Sequence, residues 1–428
     1  MRLLTVLTVL GVVAQGLGAQ AQAPEVTLDE AIRRALQAQP AMVQARGDAR
    51  TAGASRRTAF GAYLPSVTTS ASAARSNLGR IDNTTGQEVP PEYSYTGGLN
   101  ISLELFDGFR RLANLRSTAA SQDAAEAGVV NQRFQVTLAT KQAFYDALAS
   151  EELVRVAESQ VRRAQRQLQI SVEKLRAGSA TRSDSLRSTV DYGNARIALL
   201  QGRANLATAQ ANLGRQIGMD TPVRAVPDTA LPALPDTAAL RATALVTAPQ
   251  IEQAEAQASA ARAQVWTARA QYWPTLNVSY SNNRQGTGSP NLPFFSNYRE
   301  QFSWRFGLSW TLFNGFSREQ QQVSAGVNRD NAEARAADTR RQVNAQLTQQ
   351  LAALATTYEQ IGIARANVAA ATEDLRVQSE RYRVGAATIL DLLTSQTALT
   401  QAEVNLVETR FNYLIARAQV EALLGRAL

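Results

Sequence analysis

The sequence predicts an α+β membrane protein built as a tandem repeat, in which each repeat consists of a helix, two β-strands and two long helices. Three observations support this fold class. Sequence markers recur in the same order at a nearly fixed separation, paired segments alternate apolar and polar residues, and two long stretches contain no proline. Alternation with a period of two indicates strands, and internal self-similarity indicates a duplicated structural unit.

The first residues have the features of an export signal. Arg2 supplies a positive charge, Leu3–Val13 is apolar, and Ala19-Gln20-Ala21 is a small-x-small cleavage pattern. We therefore predict a signal peptide over residues 1–21, although cleavage after Ala23 also fits the pattern. A short transmembrane anchor is the alternative, but the apolar run is shorter than the ~20 residues that a spanning helix needs.

Paired markers divide the rest of the chain into two halves. Tyr63-Leu64-Pro65 returns 209 residues later as Tyr272-Trp273-Pro274. Phe106-Asp107-Gly108-Phe109 returns 207 residues later as Phe313-Asn314-Gly315-Phe316. The predicted divisions are 22–221 for the first repeat, 222–235 for a Pro-rich linker and 236–428 for the second repeat.

Each repeat is predicted to open with a helix. In the first repeat this helix begins at Thr27-Leu28-Asp29-Glu30, a capping-box pattern, and is expected to end near Tyr63. Pro65 and Pro274 then start extended segments, because proline disfavours a helical conformation in the residue before it. The predicted strands cover about 66–76 and 93–106 in the first repeat, and about 275–283 and 300–313 in the second.

The strands carry aromatic and aliphatic residues on one face and polar residues on the other. Strands of this length match the ~9 to 11 residues of a membrane-spanning strand, whereas a β-sandwich with one buried face is the alternative. The residues expected to face lipid are Leu103, Leu105, Trp304, Phe306, Leu308 and Trp310. The polar connections Asn77–Glu92 and Asn282–Tyr298 are expected to be exposed loops.

Four strands cannot close a barrel, and an open sheet edge is not tolerated in lipid because its backbone groups find no partner there. Several chains must therefore share one barrel. Known barrels begin at about eight strands, so two chains are the minimum and three chains would supply about twelve.

Two long helices follow the strands, from Phe109 to about Arg176 and from Phe316 to about Arg383. At ~1.5 Å per residue each would extend on the order of 100 Å. Gly108 and Gly315, with Pro65 and Pro274 at the other strand ends, mark the strand–helix junctions. The return helices carry seven-residue stripes typical of coiled-coil or bundle packing. These stripes are Tyr192, Leu199, Leu206 and Leu213 in one helix, and Leu392, Leu399, Leu406, Tyr413 and Val420 in the other.

The composition argues against an enzyme. The chain has no His and no Cys, which removes imidazole catalysis, thiol nucleophiles and the usual zinc ligands. We expect no catalytic residue, no cofactor and no metal site. The 44 basic and 36 acidic residues are interspersed rather than grouped, so we expect no nucleic-acid partner.

With these features the chain resembles the TolC-like outer-membrane efflux proteins, over essentially its whole mature length. The residues that carry the resemblance are Thr27-Leu28-Asp29-Glu30-Ala31, Tyr63-Leu64-Pro65-Ser66, the doubled Phe-[Asp/Asn]-Gly, and the run from Tyr382 to Asp391. The resemblance implies a homotrimer in the bacterial outer membrane, with a 12-stranded β-barrel continued by a periplasmic α-helical barrel. It also implies an exit duct of a tripartite efflux or type I secretion system. The implied partners are outer-membrane lipid, a periplasmic adaptor and an inner-membrane transporter of the RND or ABC type.

The resemblance further implies a periplasmic constriction at the tips of the helices. The matching positions are Asp391 for an acidic ring, Tyr382 and Asp184 for a link between coils, and Ser183 beside that link. Ala387 stands where well-known members carry an Arg, and Thr394 where a second ring Asp would follow, so the closed state is expected to be held less tightly or by other contacts.

Two alternatives remain open from the residues alone. Thr181-x-x-Asp184 and Thr388-x-x-Asp391 are also capping-box patterns, which would explain both aspartates without a channel. A trimeric, barrel-anchored coiled-coil surface adhesin or structural envelope protein is the alternative function, although such a protein would place one barrel segment at the C-terminus.

Overall fold

A computed structural model describes residues 23–75, 80–81, 84, 86–89, 93–227, 231–236, 239–241, 248–288 and 299–428. The predicted signal peptide, parts of both predicted loops and part of the Pro-rich linker lie outside the described residues. The helices are α1 (Leu28–Ala38), α2 (Pro40–Gly61), α3 (Arg110–Arg176), α4 (Arg182–Gln216), α5 (Pro249–Arg269, continued by the 3-10 turn Ala270–Tyr272), α6 (Ser317–Arg383) and α7 (Ile389–Leu424). The strands are β1 (Glu25–Val26), β2 (Ser66–Arg75), β3 (Arg80–Ile81), β4 (Glu88–Val89), β5 (Tyr93–Phe106), β6 (Arg224–Ala225), β7 (Thr275–Gly288) and β8 (Arg299–Ser309). Within this described part, none of the helices combines the length and the apolar character that crossing a bilayer requires.

The chain divides into two compact units that do not follow the two repeats. The sheet unit comprises the described residues of the ranges 36–138, 232–360 and 412–428. The turn unit comprises the described residues of the ranges 1–35, 139–231 and 361–411. Each unit therefore draws on both repeats.

The sheet unit contains a four-stranded antiparallel sheet in the order β2-β5-β7-β8. In register, Val67 of β2 faces Ile101 of β5, Leu103 of β5 faces Val278 of β7, and Val278 also faces Phe306 of β8. Among the described residues β2 and β8 each pair on one side only, so the outer edges of this sheet present unpaired backbone groups.

This register gathers the apolar residues of the sheet on one face. Leu103, Val278 and Phe306 form one row, and the rings of Tyr280 and Trp304 in the next row are 4.9 Å apart. The opposite face carries small and polar residues, including Ser102, Ser279, Ser281, Ser303 and Arg305. The predicted alternation is therefore present in three dimensions.

One predicted lipid-facing residue does not follow the alternation. Glu104 pairs with Asn277 and Phe106 pairs with Leu276, so Leu105 is the extra residue of a β-bulge. The bulge shifts the following residue by one position, which places Phe106 rather than Leu105 in line with Leu276 on the apolar face.

The strands of the second repeat differ in length from the prediction. β8 ends at Ser309, before the predicted end near 313, so Trp310 lies just beyond the strand and its indole N–H donates to the Tyr272 carbonyl at 3.2 Å. β7 instead continues to Gly288, because its pairing with β5 extends as far as Tyr93. The first part of the predicted loop, 282–288, is therefore strand.

The opening helix of the first repeat is two helices rather than one. α1 ends at Ala38 and α2 begins with Pro40 as its first residue. Gln39 is extended, with φ −66° and ψ 125°, as expected for a residue before proline. The proline that ends α1 is well placed to begin α2, because the first residue of a helix needs no N–H partner.

The return helices bury their predicted stripes to different extents. Four of the five stripe positions in α7 are buried, namely Leu392, Leu399, Tyr413 and Val420. Of the four stripe positions in α4 only Leu213 is buried, while Tyr192, Leu199 and Leu206 are half-buried. A second apolar stripe of α4 is 57 to 64% exposed and consists of Leu186, Val190, Ile197 and Leu200.

Candidate functional site

Two helix-to-helix turns in the turn unit hold the residues predicted for the constriction. We call residues 177–184, between α3 and α4, the first turn, and residues 384–391, between α6 and α7, the second turn. In the second turn Gly385 has φ +80° and the Ala386 N–H donates to the Arg381 carbonyl at 2.8 Å, which is a Schellman helix end. Gly178, with φ +73°, ends α3 in the same way.

Asp391 begins α7 as part of a capping box. Its Oδ2 accepts from the Thr388 backbone N–H at 2.9 Å and from the Thr388 hydroxyl at 2.8 Å, while the Asp391 N–H donates to Thr388 Oγ1 at 3.3 Å. The backbone and side-chain bonds from Thr388, with the nearby Arg381 charge, hold the pKa of the Asp391 carboxyl below its usual range. Asp391 is therefore an ionised, exposed carboxylate in a fixed orientation.

Asp184 takes the corresponding position in the first turn. Its Oδ2 accepts from the Thr181 N–H at 3.0 Å, and its own N–H donates to Thr181 Oγ1 at 3.2 Å. Ser183 is exposed beside it. Thr394, one turn beyond Asp391, donates its hydroxyl to the Leu390 carbonyl at 2.9 Å within its own helix. The two Thr-x-x-Asp capping boxes predicted at these turns are confirmed.

Tyr382 lies at the end of α6 and is buried. It packs with Ile389 and Leu392 in an apolar cluster that also includes Leu375 and Leu393. Its hydroxyl is enclosed and has no hydrogen-bond partner among the described residues, so the structure does not join it to Asp184. Leaving a buried hydroxyl without a partner is unfavourable by about 1 to 3 kcal/mol.

Lys174, which sequence reasoning missed, connects α3 to Tyr382. Its ammonium group donates to the Tyr382 carbonyl at 2.5 Å and lies 4.2 Å from the centre of the Tyr382 ring. A cation over an aromatic ring is attracted to its π face. The sequence offered only one sign of this role, a basic residue in the last turn of α3, and such residues usually just complement the helix dipole.

The exposed face of the sheet is the second candidate site. Trp304, Phe306 and Leu308 are 63%, 71% and 73% exposed on the apolar face, whereas Leu103 is half-buried. Trp310, just past the strand, is 59% exposed. A contiguous aromatic surface of this kind on a soluble monomer would favour aggregation, which indicates contact with lipid or with another chain.

The strand–helix junctions are built alike in both repeats. Gly108 and Phe109 have φ +67° and +66°, and Gly315 and Phe316 both have φ +65°. At Gly108 an added Cβ would meet the Trp273 side chain at 2.5 Å, so only glycine fits there. Each Phe therefore adopts an uncommon left-handed conformation in order to redirect the chain from a strand into a long helix.

The Asp or Asn of the repeated motif caps the long helix that follows. Asp107 is buried and accepts from the Arg111 N–H at 2.8 Å, and Asn314 accepts from the Arg318 N–H at 3.4 Å. Each arginine then turns back toward the end of the preceding strand: Arg111 donates to the Leu105 carbonyl of β5 at 3.2 Å, and Arg318 donates to the Leu312 carbonyl, just beyond β8, at 2.9 Å. Pro65 and Pro274 immediately precede β2 and β7.

An apolar sheet face joined through these junctions to paired long helices defines a channel-forming protein of the outer membrane. The sequence profile of the family described as outer membrane efflux protein matches residues 31–219 and 240–426. The chain therefore belongs to the outer membrane efflux protein family. It matches once in each half, as expected for a duplicated unit.

Individual relatives cover most of the chain. Protein CyaE of Bordetella pertussis is 29% identical over 392 residues, which is 87% of this chain and 78% of that protein. Outer membrane efflux protein BepC of Brucella suis is 23% identical over 381 residues, 85% of this chain and 78% of that protein. The crystal structure of the outer membrane protein VceC from Vibrio cholerae has the same fold, with a TM-score of 0.80 at 19% identity over 94% of this chain and 96% of that chain.

These matches confirm the predicted fold class, localisation and function. The chain is an outer-membrane exit duct with a large periplasmic portion, and it is not an enzyme. Channels of this fold are homotrimers that work with adaptor proteins and inner-membrane pumps. The family match also excludes the surface-adhesin alternative.

Proposed function

We propose that three copies of this chain close the duct at the second turn, where their Asp391 carboxylates surround the channel axis. The observation that supports this is the exposed Asp391 carboxylate, which Thr388 holds at the N-terminal end of α7. A ring of like charges attracts cations and is neutralised by multivalent ones. Capping and ring formation use the same carboxylate and are compatible.

Asp391→Asn tests the ring without removing the cap, because the amide oxygen still accepts from the Thr388 N–H. In planar-bilayer recordings we expect the variant to conduct with weaker cation selectivity and weaker block by multivalent cations. Asp184→Asn is the matched control in the first turn, where the same substitution should change selectivity less. Unchanged selectivity and block in Asp391→Asn would place the constriction elsewhere and leave only the capping role.

We propose that Tyr382 and Asp184 form the link between coils, with Ser183 beside them. The Tyr382 hydroxyl has a proton to donate and no described acceptor. Thr394 adds no charge to the ring, and Ala387 offers no guanidinium, so the chain depends more on the Lys174 contact to Tyr382 to hold the coils. Tyr382→Phe should raise the closed-channel conductance if the hydroxyl takes part in this link, and no change would contradict it.

We propose that the apolar sheet face, including Leu103, Trp304, Phe306 and Leu308, meets the lipid tails. Phe306→Arg would place a charge near the membrane midplane, at a cost of about 2 to 4 kcal/mol, and should reduce assembly in the outer membrane. Ser303→Arg is the matched control, because it adds the same charge to the same strand on the polar face. Equal assembly of the two variants would mean that water, rather than lipid, lies against both faces.

The unpaired edges of β2 and β8 support closure of one barrel by three chains. Each edge strand offers backbone donors and acceptors that lipid cannot satisfy. Native mass spectrometry of the detergent-extracted protein should show a species of three chain masses. A stable, monodisperse monomer that keeps its strands would rule out this closure.

We propose that the duct receives its cargo through an adaptor from an RND-type or ABC-type transporter. The second turn offers an apolar docking surface, since Val384 and Leu390 are 68% and 59% exposed beside the constriction. Val384→Asp together with Leu390→Asp should abolish cross-linking to the adaptor in cell envelopes while trimers persist. Recovery of neither transporter class with the wild-type duct would contradict the pump assignment.

We also propose export with cleavage after residue 21 and the repeat limits 22–221 and 236–428. The small-x-small pattern supports the cleavage position, and the two profile matches, 31–219 and 240–426, support the repeat limits. The mass of the first tryptic peptide of the extracted protein tests the cleavage site. A retained Met1 would show that the segment acts as an anchor.

A further inference from the structure

A patch of arginine and aromatic side chains borders the sheet where the strands give way to helices. We call it the rim patch and define it by Arg57, Phe60, Phe109, Arg116, Trp266 and Arg269. All six side chains are exposed, and the three aromatic ones are 61 to 62% exposed. The roles described above for the constriction and the strand face do not require any of these six residues.

The rim patch lies within about two helical turns of the strands. Arg57 and Phe60 belong to the end of α2, Phe109 immediately precedes α3, Arg116 lies near its start, and Trp266 and Arg269 belong to the end of α5. At ~1.5 Å per residue, Arg116 starts about 9 Å along α3. A headgroup layer adds about 5 to 8 Å to each side of the hydrocarbon core, which an arginine side chain at this position can reach.

The patch continues the apolar face of the sheet rather than its polar face. The rings of Phe106 and Phe109 meet edge to face at 5.5 Å, and Phe106 lies in line with Leu276 on the apolar face. The next residue, Arg110, instead pairs with Glu104 on the polar face at 3.0 Å. Phe109 therefore marks the side of the junction that faces lipid.

The same aromatic arrangement recurs in the second repeat. Phe313 and Phe316 meet edge to face at 5.4 Å, and they are 70% and 69% exposed. Transmembrane barrels carry aromatic girdles at the membrane interface. The recurrence at equivalent positions indicates that the junctions of both repeats lie at this depth.

Arg116 joins the two parts of the patch into one surface. It lines the groove between α2 and α3 together with Arg57 and Phe60, and it also lines the groove between α3 and α5 with Phe109 and Trp266. Arg269 lies over the Trp266 ring, 5.4 Å from its centre, at the end of the second groove. The arginines are therefore interleaved with rings along one continuous surface.

The charge of the patch is uncompensated among the described residues. No Asp or Glu lines either groove, and Arg57, Arg116 and Arg269 make no ion pair with a described carboxylate. By contrast, Arg262 in the same helix as Arg269 pairs with Glu333 at 2.9 Å. The patch therefore offers guanidinium groups to an anion from outside the chain.

We propose that the rim patch binds the headgroups of anionic phospholipids in the adjoining leaflet. Guanidinium groups form bidentate hydrogen bonds with phosphate oxygens, and Tyr and Trp side chains favour the interface between the apolar and polar layers of a membrane. The proposal relies on the outer-membrane location and is independent of the Asp391 constriction. Asp391→Asn should leave lipid binding unchanged, so the two proposals fail separately.

The test is native mass spectrometry of the detergent-purified assembly after titration with dimyristoyl phosphatidylglycerol. Dimyristoyl phosphatidylcholine, which has the same tails and no net charge, is the reference lipid. We expect the wild-type assembly to retain phosphatidylglycerol more tightly than phosphatidylcholine. In the triple variant Arg57→Gln, Arg116→Gln and Arg269→Gln, the affinity of the assembly for phosphatidylglycerol should fall about fivefold for each arginine removed. This corresponds to about 1 kcal/mol for each arginine.

The matched control removes three exposed arginines elsewhere, through Arg187→Gln, Arg335→Gln and Arg365→Gln, and should bind as the wild type does. If the glutamine variant fails to assemble, the corresponding triple lysine variant keeps the charge but not the bidentate geometry, so it should bind phosphatidylglycerol more weakly than the wild type and still prefer it to phosphatidylcholine. Equal retention of both lipids by the wild type would overturn the proposal. Equal loss in the control triple, or full competition by inorganic phosphate at the same concentration, would also overturn it.

A fourth outcome concerns a second copy of the chain. If the glutamine triple separates the trimer into monomers that still retain phosphatidylglycerol, the patch is a contact between copies and the lipid proposal is wrong.

Discussion

The first and second turns share one backbone design but differ in the side chains around it. Both begin with a left-handed glycine, Gly178 or Gly385, and both end in a Thr-x-x-Asp capping box. The equivalent residues are 207 apart, so duplication has preserved the turn itself. The backbone conformation of such a turn depends on a few local residues, because the signals that end one helix and begin the next act within one helical turn.

The packing around the two turns has diverged. Tyr382, Ile389 and Leu392 form a buried cluster at the second turn. Their counterparts in the first turn, 207 residues earlier, are Leu175, Arg182 and Ser185, and none of these is buried. The second turn is thus anchored by apolar contacts that the first turn lacks.

The basic residue in the last turn of each long helix shows the same divergence. Lys174 of α3 donates to the Tyr382 carbonyl at the end of α6, in the other pair of helices. Its counterpart Arg381 instead donates to the Ala386 carbonyl of the second turn, which directly follows α6, at 3.3 Å. Tyr382 is therefore contacted from α3 by Lys174 and from its own second turn and α7 by Ile389 and Leu392. A duplicated turn thus becomes a specialised site through a few neighbouring side chains.

The largest effect should come from removing the cluster at the second turn. Leu392 is 2% exposed, so Leu392→Ala should lower the free energy of unfolding by about 2 to 5 kcal/mol. Leu186→Ala near the first turn removes the same atoms from a side chain that is 57% exposed, and should cost less than about 0.5 kcal/mol in a single chain. Thermal unfolding followed by circular dichroism measures both, and equal costs would remove the contrast between the turns.

A somewhat smaller effect is expected at Lys174. Lys174→Met keeps the alkyl chain but removes the hydrogen bond to Tyr382 and the cation over its ring, together about 1 to 3 kcal/mol. Hydrogen exchange should then increase in peptides around residues 375–392. Lys174→Arg keeps the charge and should retain most of the protection. If the methionine variant exchanges as slowly as the wild type, the contact does not stabilise the second turn.

Local features of the fold could be predicted from the sequence. The four principal strands, the starts of α3 and α6 and both capping boxes follow from alternation, proline positions and short motifs. Each of these signals acts over a few residues, so nothing distant is needed to interpret it. The opening helix, predicted to run to near Tyr63, breaks at Gln39 because Pro40 is the first residue of a new helix.

Features that depend on contacts between distant segments could not be predicted. The bulge at Leu105 appears only when β5 and β7 are in register, and the length of β7 depends on pairing with Tyr93. Lys174 and Tyr382 are 208 residues apart, and no pattern within either helix indicates that they meet. The candidate site was therefore predicted at its aspartates but not at the lysine that contacts it.

Replacing the left-handed glycine of either turn should destabilise the chain somewhat less than Lys174→Met does. Gly178→Ala and Gly385→Ala leave open space around the new Cβ, so the cost arises from the left-handed φ alone, about 1 to 2 kcal/mol at each turn. Gly362→Ala in α6 also has open space but an ordinary helical φ, and should stabilise the chain by up to about 1 kcal/mol. Unfolding midpoints that differ widely between the two turn variants would show that their backbones are not equivalent.

The smallest effect is a pH dependence confined to the second turn. The bonds from Thr388 and the charge of Arg381 lower the pKa of Asp391 in the folded chain, so its capping contribution is complete above the unfolded pKa of about 3.9 and is lost as the pH falls through the lower folded value. Hydrogen exchange of a peptide spanning residues 384–392, corrected for intrinsic rates, measures this contribution. From pH 7 to 5 the wild type should exchange more slowly than Asp391→Asn by a constant factor, and the difference should disappear only below about pH 4. A difference that already fades well above that pH in the trimer would mean that repulsion among three carboxylates outweighs the bonds from Thr388.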